Sequence, residues 1–203
     1  IKVLRKLIAN PLLLNKRIKF YESKKTIQKV PFDLEEIKGH ISKSEHNLKF
    51  VLDNMKLEYY DWCITGCYYA IYQIALALIR AKKVYSKNHD ATLCLLARDY
   101  YQAGITKEDI ELINVFFLDY QDLLIYVHTK DRREEASYSS KYNFDKEKVE
   151  ELRLKTIDFI NKARGILDSQ INEKNYYRRP SLCSDTSFGP ATRQYKDTRR
   201  VYR

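Results

Sequence analysis

Apolar residues recur along most of this chain at the three- and four-residue spacings of amphipathic helices, and capping signals between the runs set their limits. Residues 1–9 predict a short basic amphipathic turn or two, stopped by Asn10 and Pro11, while 15–31 alternates too irregularly to assign. Asp33 followed by Glu36 reads as a capping-box-like start. Leu34, Ile37, Ile41, Leu48, Leu52 and Met55 then give a helix over 33–57. The next spans 59–82 and closes on Lys82 and Lys83, cations suited to the negative end of a helix dipole. After a loop at 84–89, a shorter helix over 90–102 carries Leu93, Leu96 and Ala97 on one face, with Gly104 just past its end as a left-handed cap permits.

Thr106 and Asp109 pair as N-cap and capping partner of a long helix over 107–128, with Ile110, Ile113, Phe117, Tyr120, Leu124 and Val127 at 3,4 spacing. The polar stretch Ser137 to Asn143 separates it from a last helix over 145–168, striped by Val149, Leu152, Phe159, Ala163 and Ile166. Beyond Ser169 the periodicity stops, and such a segment buries too little surface to offset its ordering entropy. The expected organisation is a basic N-terminal arm at 1–31, a helical bundle at 32–169 and a basic disordered tail at 170–203.

Composition narrows the fold further. Five glycines and four prolines in 203 residues remove the turn-rich sandwiches and barrels, leaving an all-α, four- to five-helix up-and-down bundle. The net charge of +10 is uneven: +8 falls in residues 1–31, +5 in 172–203 and −3 between them. Basic arms of this kind neutralise phosphates or stay solvated. Trp62 to Ile79 approaches the roughly 20 apolar residues that span a bilayer. It holds Thr65, Tyr68, Tyr69, Tyr72 and Gln73 mid-segment and is bounded by Asp61 and Arg80, so it reads as the central helix of a soluble bundle with no membrane partner. Cys63, Cys67 and Cys94 sit in apolar helical stretches, and with Cys183 they read as free thiols of a reducing cytoplasm.

The chemical motifs are sparse. There is no Gly-rich phosphate loop, HExxH, CxxC or nucleophile elbow. Cys63 and Cys67 share a helix face without a histidine at ligand spacing, so neither metal nor cofactor is expected. His40 and His46 read as surface residues, and His89 as a residue closing the loop before the short helix. His128 lies four before Arg132, a spacing that on a continued helix puts both on one face able to grip a phosphate. The run Arg132-Arg133-Glu134-Glu135-Ala136-Ser137-Tyr138 is either a solvated helix end with i,i+4 ion pairs or a binding element. In the second reading Arg133 holds a phosphodiester bidentately and Tyr138 hydrogen-bonds it or stacks on a base.

The Tyr-rich stretch from Tyr68 to Ile79, the basic loop ending in His89, the Arg133, Ala136 and Tyr138 motif and the amphipathic helix after it resemble a HEPN domain over residues 33–168. The resemblance implies a helical bundle, commonly a homodimer, that binds a nucleotide or RNA and is paired with a small nucleotidyltransferase in a toxin–antitoxin or stress-response system. It implies Arg133 and Tyr138 as ligand-binding residues, which Arg132 of the same run would join, and the tyrosines at 138 and 142, Tyr138 first, as acceptors of a nucleotidyl group. RNase members carry a histidine four to six residues after the arginine; here Tyr138 stands in its place, in the Arg-x-x-Ala-x-Tyr form of another branch. A metal-independent ribonuclease would therefore use Arg133 with Tyr138 or His128, and tyrosine, with a pKa near 10, is a poor base at neutral pH. A dimeric interaction scaffold without catalysis is the remaining alternative, its seventeen tyrosines serving helix packing and a partner surface.

Overall fold

A computed structural model describes residues 2–115 and 146–177, with side chains from 4 to 115 and from 146 to 171. The elements are α1 (Lys2–Ala9), α2 (Pro11–Ser23), β1 (Ile27–Lys29), α3 (Leu34–Lys56), α4 (Tyr60–Ala81), β2 (Val84–Ser86), α5 (His89–Asp99), α6 (described over 107–115) and α7 (Lys146–Tyr177). The all-helical class is as the patterning predicts. A two-stranded antiparallel ribbon, pairing Ile27 with Ser86 and Lys29 with Val84, is a minor addition.

Two antiparallel helices form the centre. Asp33 caps α3 by accepting from the backbone N–H groups of Glu35 and Glu36. Across the α3–α4 hairpin the partners run from Val51 and Gly66 through Ser44 and Ala70 to His40 and Gln73 and finally Glu36 and Arg80. The buried residues of α3 are Ile37, Ser44 and Val51, seven apart, whereas Leu52 of the expected stripe is 44% exposed. The rotation follows from small residues: Gly66 and Ala70 let the backbones approach, so that Ser44 Oγ donates to the Ala70 carbonyl at 2.7 Å. Ile41, Leu48 and Met55 pack at the sides of this seam.

α4 is apolar on nearly every side because α3, α5 and α7 cover it. It is long and apolar enough to cross a membrane, and 67% of its most apolar window is buried inside the fold. α7 contributes Val149, Leu152, Phe159, Ile160, Ala163 and Leu167 to the core. It continues past the expected end at 168 because Gln170 accepts from Tyr100 Oη at 3.3 Å and Ile171 packs against the core. The expected tail thus has residues 170–177 in helix, and 178–203 lie outside the described residues.

The irregular stretch at 15–31 also has a structure. Asn10 breaks the helix and caps the next, accepting from Leu13 N, with Pro11 in the first helical position. Leu4, Leu7, Leu14, Ile18, Tyr21 and Ile27 enter the same core, so the basic segment is folded against the body. A bidentate ion pair from Arg5 to Glu111, at 2.7 and 2.8 Å, ties α1 to α6. The Thr106–Asp109 box closes in both directions: Asp109 N donates to Thr106 Oγ1 at 3.2 Å and Thr106 N to Asp109 Oδ2 at 2.9 Å.

Candidate functional site

Polar side chains in this fold gather where α3 begins and α4 ends. Trp62, Thr65, Tyr69, Gln73, Leu76 and Arg80 follow one another at three- and four-residue steps along the edge of α4 that is not fully buried. Glu36 and His40, one turn apart on α3, meet its far end. The Arg80 guanidinium is ion-paired with the Glu36 carboxylate and lies over the Tyr85 ring, 5.5 Å from its centroid. Only 13% of the Arg80 side chain is exposed. His40 Nδ1 lies 2.7 Å from Gln73 Oε1, and His40 Nε2 4.0 Å from the Glu36 carboxylate.

With the Gln73 oxygen accepting, Nδ1 carries the proton and Nε2 keeps its lone pair. The half-buried ring is thus held by Gln73 on one edge and turns its Nε2 edge toward the Glu36 carboxylate. The sequence treated His40 as a surface residue, and Gln73 and Arg80 only as obstacles to a membrane span. Their signal was the i,i+4 pair Glu36 and His40 facing two polar residues seven apart on an apolar helix.

A second cluster is aromatic. Tyr68 and Tyr72 stack at 5.7 Å, and His89 lies 6.1 and 5.9 Å from their respective centroids. Burial pushes the His89 pKa down to about 3, so its imidazole is neutral at physiological pH and serves packing at the start of α5. Asn88 caps α5 beside it by accepting from Ala91 N at 2.8 Å. Burial likewise raises the thiols, Cys63 to about 11, Cys67 to about 12 and Cys94 to about 11. Among the described residues no group of His, Cys, Asp and Glu side chains can hold a metal ion.

A third feature is a groove of about 660 Å³ between α6 and α7, with Leu112, Val115 and Leu154 on its apolar side. Lys162 bridges its acids, 3.1 Å from Asp109 and 2.7 Å from Asp158, and the Asp158 hydrogen bond raises the Lys162 pKa above its usual value. Four acids against Lys155 and Lys162 make this groove ill-suited to a phosphate.

The motif residues His128, Arg132, Arg133 and Tyr138 lie outside the described residues, between α6 and α7 in the chain. No family model matches the sequence. Over 135 residues the chain is 25% identical to a protein of Methanocaldococcus jannaschii named "Putative toxin MJ0142", an alignment covering 66% of this chain and 84% of that protein.

Proposed function

We propose that this chain is a HEPN-like nucleotide- and RNA-binding helical protein that acts, with a small nucleotidyltransferase as partner, in a toxin–antitoxin or stress-response system. The observation that carries the reading is the Arg133-x-x-Ala136-x-Tyr138 motif, in an all-helical chain similar to a protein named as a toxin. In this reading Arg132 and Arg133 hold phosphate oxygens, with the planar fork of Arg133 matching two at once. Tyr138 adds a hydroxyl hydrogen bond or a ring for a base, and its hydroxyl is the acceptor if the partner transfers a nucleotidyl group. The protein works as a homodimer in the cytoplasm.

A second reading, a metal-independent ribonuclease, is favoured by the toxin in the relative's name. Arg133 then holds the scissile phosphate while Tyr138 or His128 moves the proton. One experiment separates the two: wild type and Arg133→Ala are incubated with total RNA in EDTA, then read by gel and by band shift. The binding module gives intact RNA and a shift that the variant loses. Arginine-dependent cleavage establishes the ribonuclease instead, and a shift unchanged in Arg133→Ala at low salt removes the motif from the account.

A further inference from the structure

Apolar side chains left in water together, unlike scattered ones, mark a contact surface, and α2 presents three within nine residues, Leu12 at 83% exposure, Leu13 at 43% and Phe20 at 51%, of which Leu13 and Phe20 share one groove. They are interleaved with cations. Lys16, Arg17 and Lys19 lie between Leu12 and Phe20, and Lys24 and Lys25 follow, all exposed. Glu22, the one acid in residues 1–31, is two positions from Phe20 and so projects from the far side of the helix. Between α1 and α2 the surface is concave, a groove of about 360 Å³ lined by Leu7, Leu13, Lys16, Arg17 and Phe20.

The groove is braced from below. Leu14, Ile18 and Tyr21 anchor the opposite face of α2 in the core, and the Arg5–Glu111 pair fixes α1. Arg17 Nε donates to Tyr21 Oη at 3.2 Å, and its guanidinium lies 5.3 Å from the Tyr21 ring centroid, so this cation is held in place beside the groove. An occupant must therefore carry negative charge, offer a flat apolar surface to a half-exposed ring, and fit a hollow of small-molecule size. A bilayer fits poorly, because the apolar side chains are separated by lysines and the surface is concave.

We infer that this α1–α2 groove is a binding site for one unpaired nucleotide of single-stranded RNA. The base stacks on Phe20 against Leu13 and Leu7, and the flanking phosphates lie on Lys16 and Arg17. The inference rests on the RNA-binding reading above but uses none of its residues.

The test is fluorescence anisotropy of the full chain with a short fluorescein-labelled oligouridylate across a salt series. Phe20→Ala weakens binding about 10-fold and Phe20→Trp retains it, as expected of a stacking platform. Lys16→Gln flattens the dependence of log K on log salt by about 0.7, one phosphate contact on a single strand. A duplex of the same length binds more weakly because its bases are already paired. Lys16 is exposed and Phe20 half-exposed with its ring against the edge of Tyr21, and circular dichroism checks that the variants fold. Wild-type affinity in both Phe20→Ala and Lys16→Gln, with Arg133→Ala impaired, overturns the groove and leaves the motif. Impairment in Phe20→Ala with Arg133→Ala unaffected does the reverse. Absence of wild-type binding overturns both, and Phe20-dependent binding to phosphatidylglycerol vesicles in its place assigns the face to a membrane surface.

Discussion

His89 packs among Tyr68 and Tyr72 with 5% of its surface exposed, and its proton balance follows from that position. The folded imidazole is protonated only near pH 3, whereas an unfolded one is protonated near pH 6.5. Between those limits the unfolded state binds more protons, so the stability due to neutral His89 is complete above the window and is lost as pH falls through it. Urea unfolding of wild type and His89→Phe at neutral pH and at about pH 5 checks this. Relative to the variant, wild type loses on the order of 2 kcal/mol over that interval. Burial acts on the thiols in the opposite direction, keeping Cys63, Cys67 and Cys94 protonated at neutral pH. In native protein these three react slowly with an aromatic disulfide reagent at about pH 8, and rapidly once the chain is unfolded in urea. The burial of the thiols is legible in the apolar helical stretches around them, whereas the environment of His89 is not. His40, with the same side chain as His89, lies at a half-open edge beside Gln73 and Glu36.

Contacts between elements depend on small groups. A Cβ added at Gly66 would sit 2.6 Å from Val51 Cγ2 and 3.0 Å from Phe50 Cδ1. Val51 is fully buried and β-branched, so it cannot swing aside. Gly66→Ala therefore lowers stability by about 1–2 kcal/mol in denaturant titration, the overpacking outweighing a gain in helix propensity of up to about 1 kcal/mol. At the start of α6, Thr106→Ala removes one side of a reciprocal cap and costs about 1 kcal/mol. Asp109→Ala costs more, because Asp109 also accepts from the Thr106 N–H and pairs with Lys162. Element boundaries were largely legible: Asp33, Asn10, Pro11, Thr106 and Asp109 act locally, and local signals can be read from a string. The face each helix buries was less so. The expected stripe of α3 ran through Leu52, but the close approach at Gly66 and Ala70 turned the seam toward Ser44 and Val51.

For the whole molecule, the basic N-terminal segment behaves as part of the body. Leu4, Leu7, Arg17 and Tyr21 close over Asp90, Leu93 and Cys94 of α5. A variant lacking residues 1–23 is expected to melt at lower temperature, and its Cys94 to react faster with the same thiol reagent while Cys67 stays slow. Equal reactivity of the two thiols would mean that the bundle had opened generally.

The sequence by itself determined the helical class, most helix limits, the burial of the cysteines in α4 and α5 and the split of charge between the ends and the middle, because periodicity, capping and charge are properties of neighbouring residues. It also singled out Arg133 and Tyr138 by their spacing. Only the tertiary structure decided that Glu36, His40, Gln73 and Arg80 meet, that His89 is a neutral packing residue, and that Leu4, Leu7, Leu14, Ile18, Tyr21 and Ile27 join the core. Those outcomes turn on which helix faces another and how closely, and no local pattern in the chain encodes that distance.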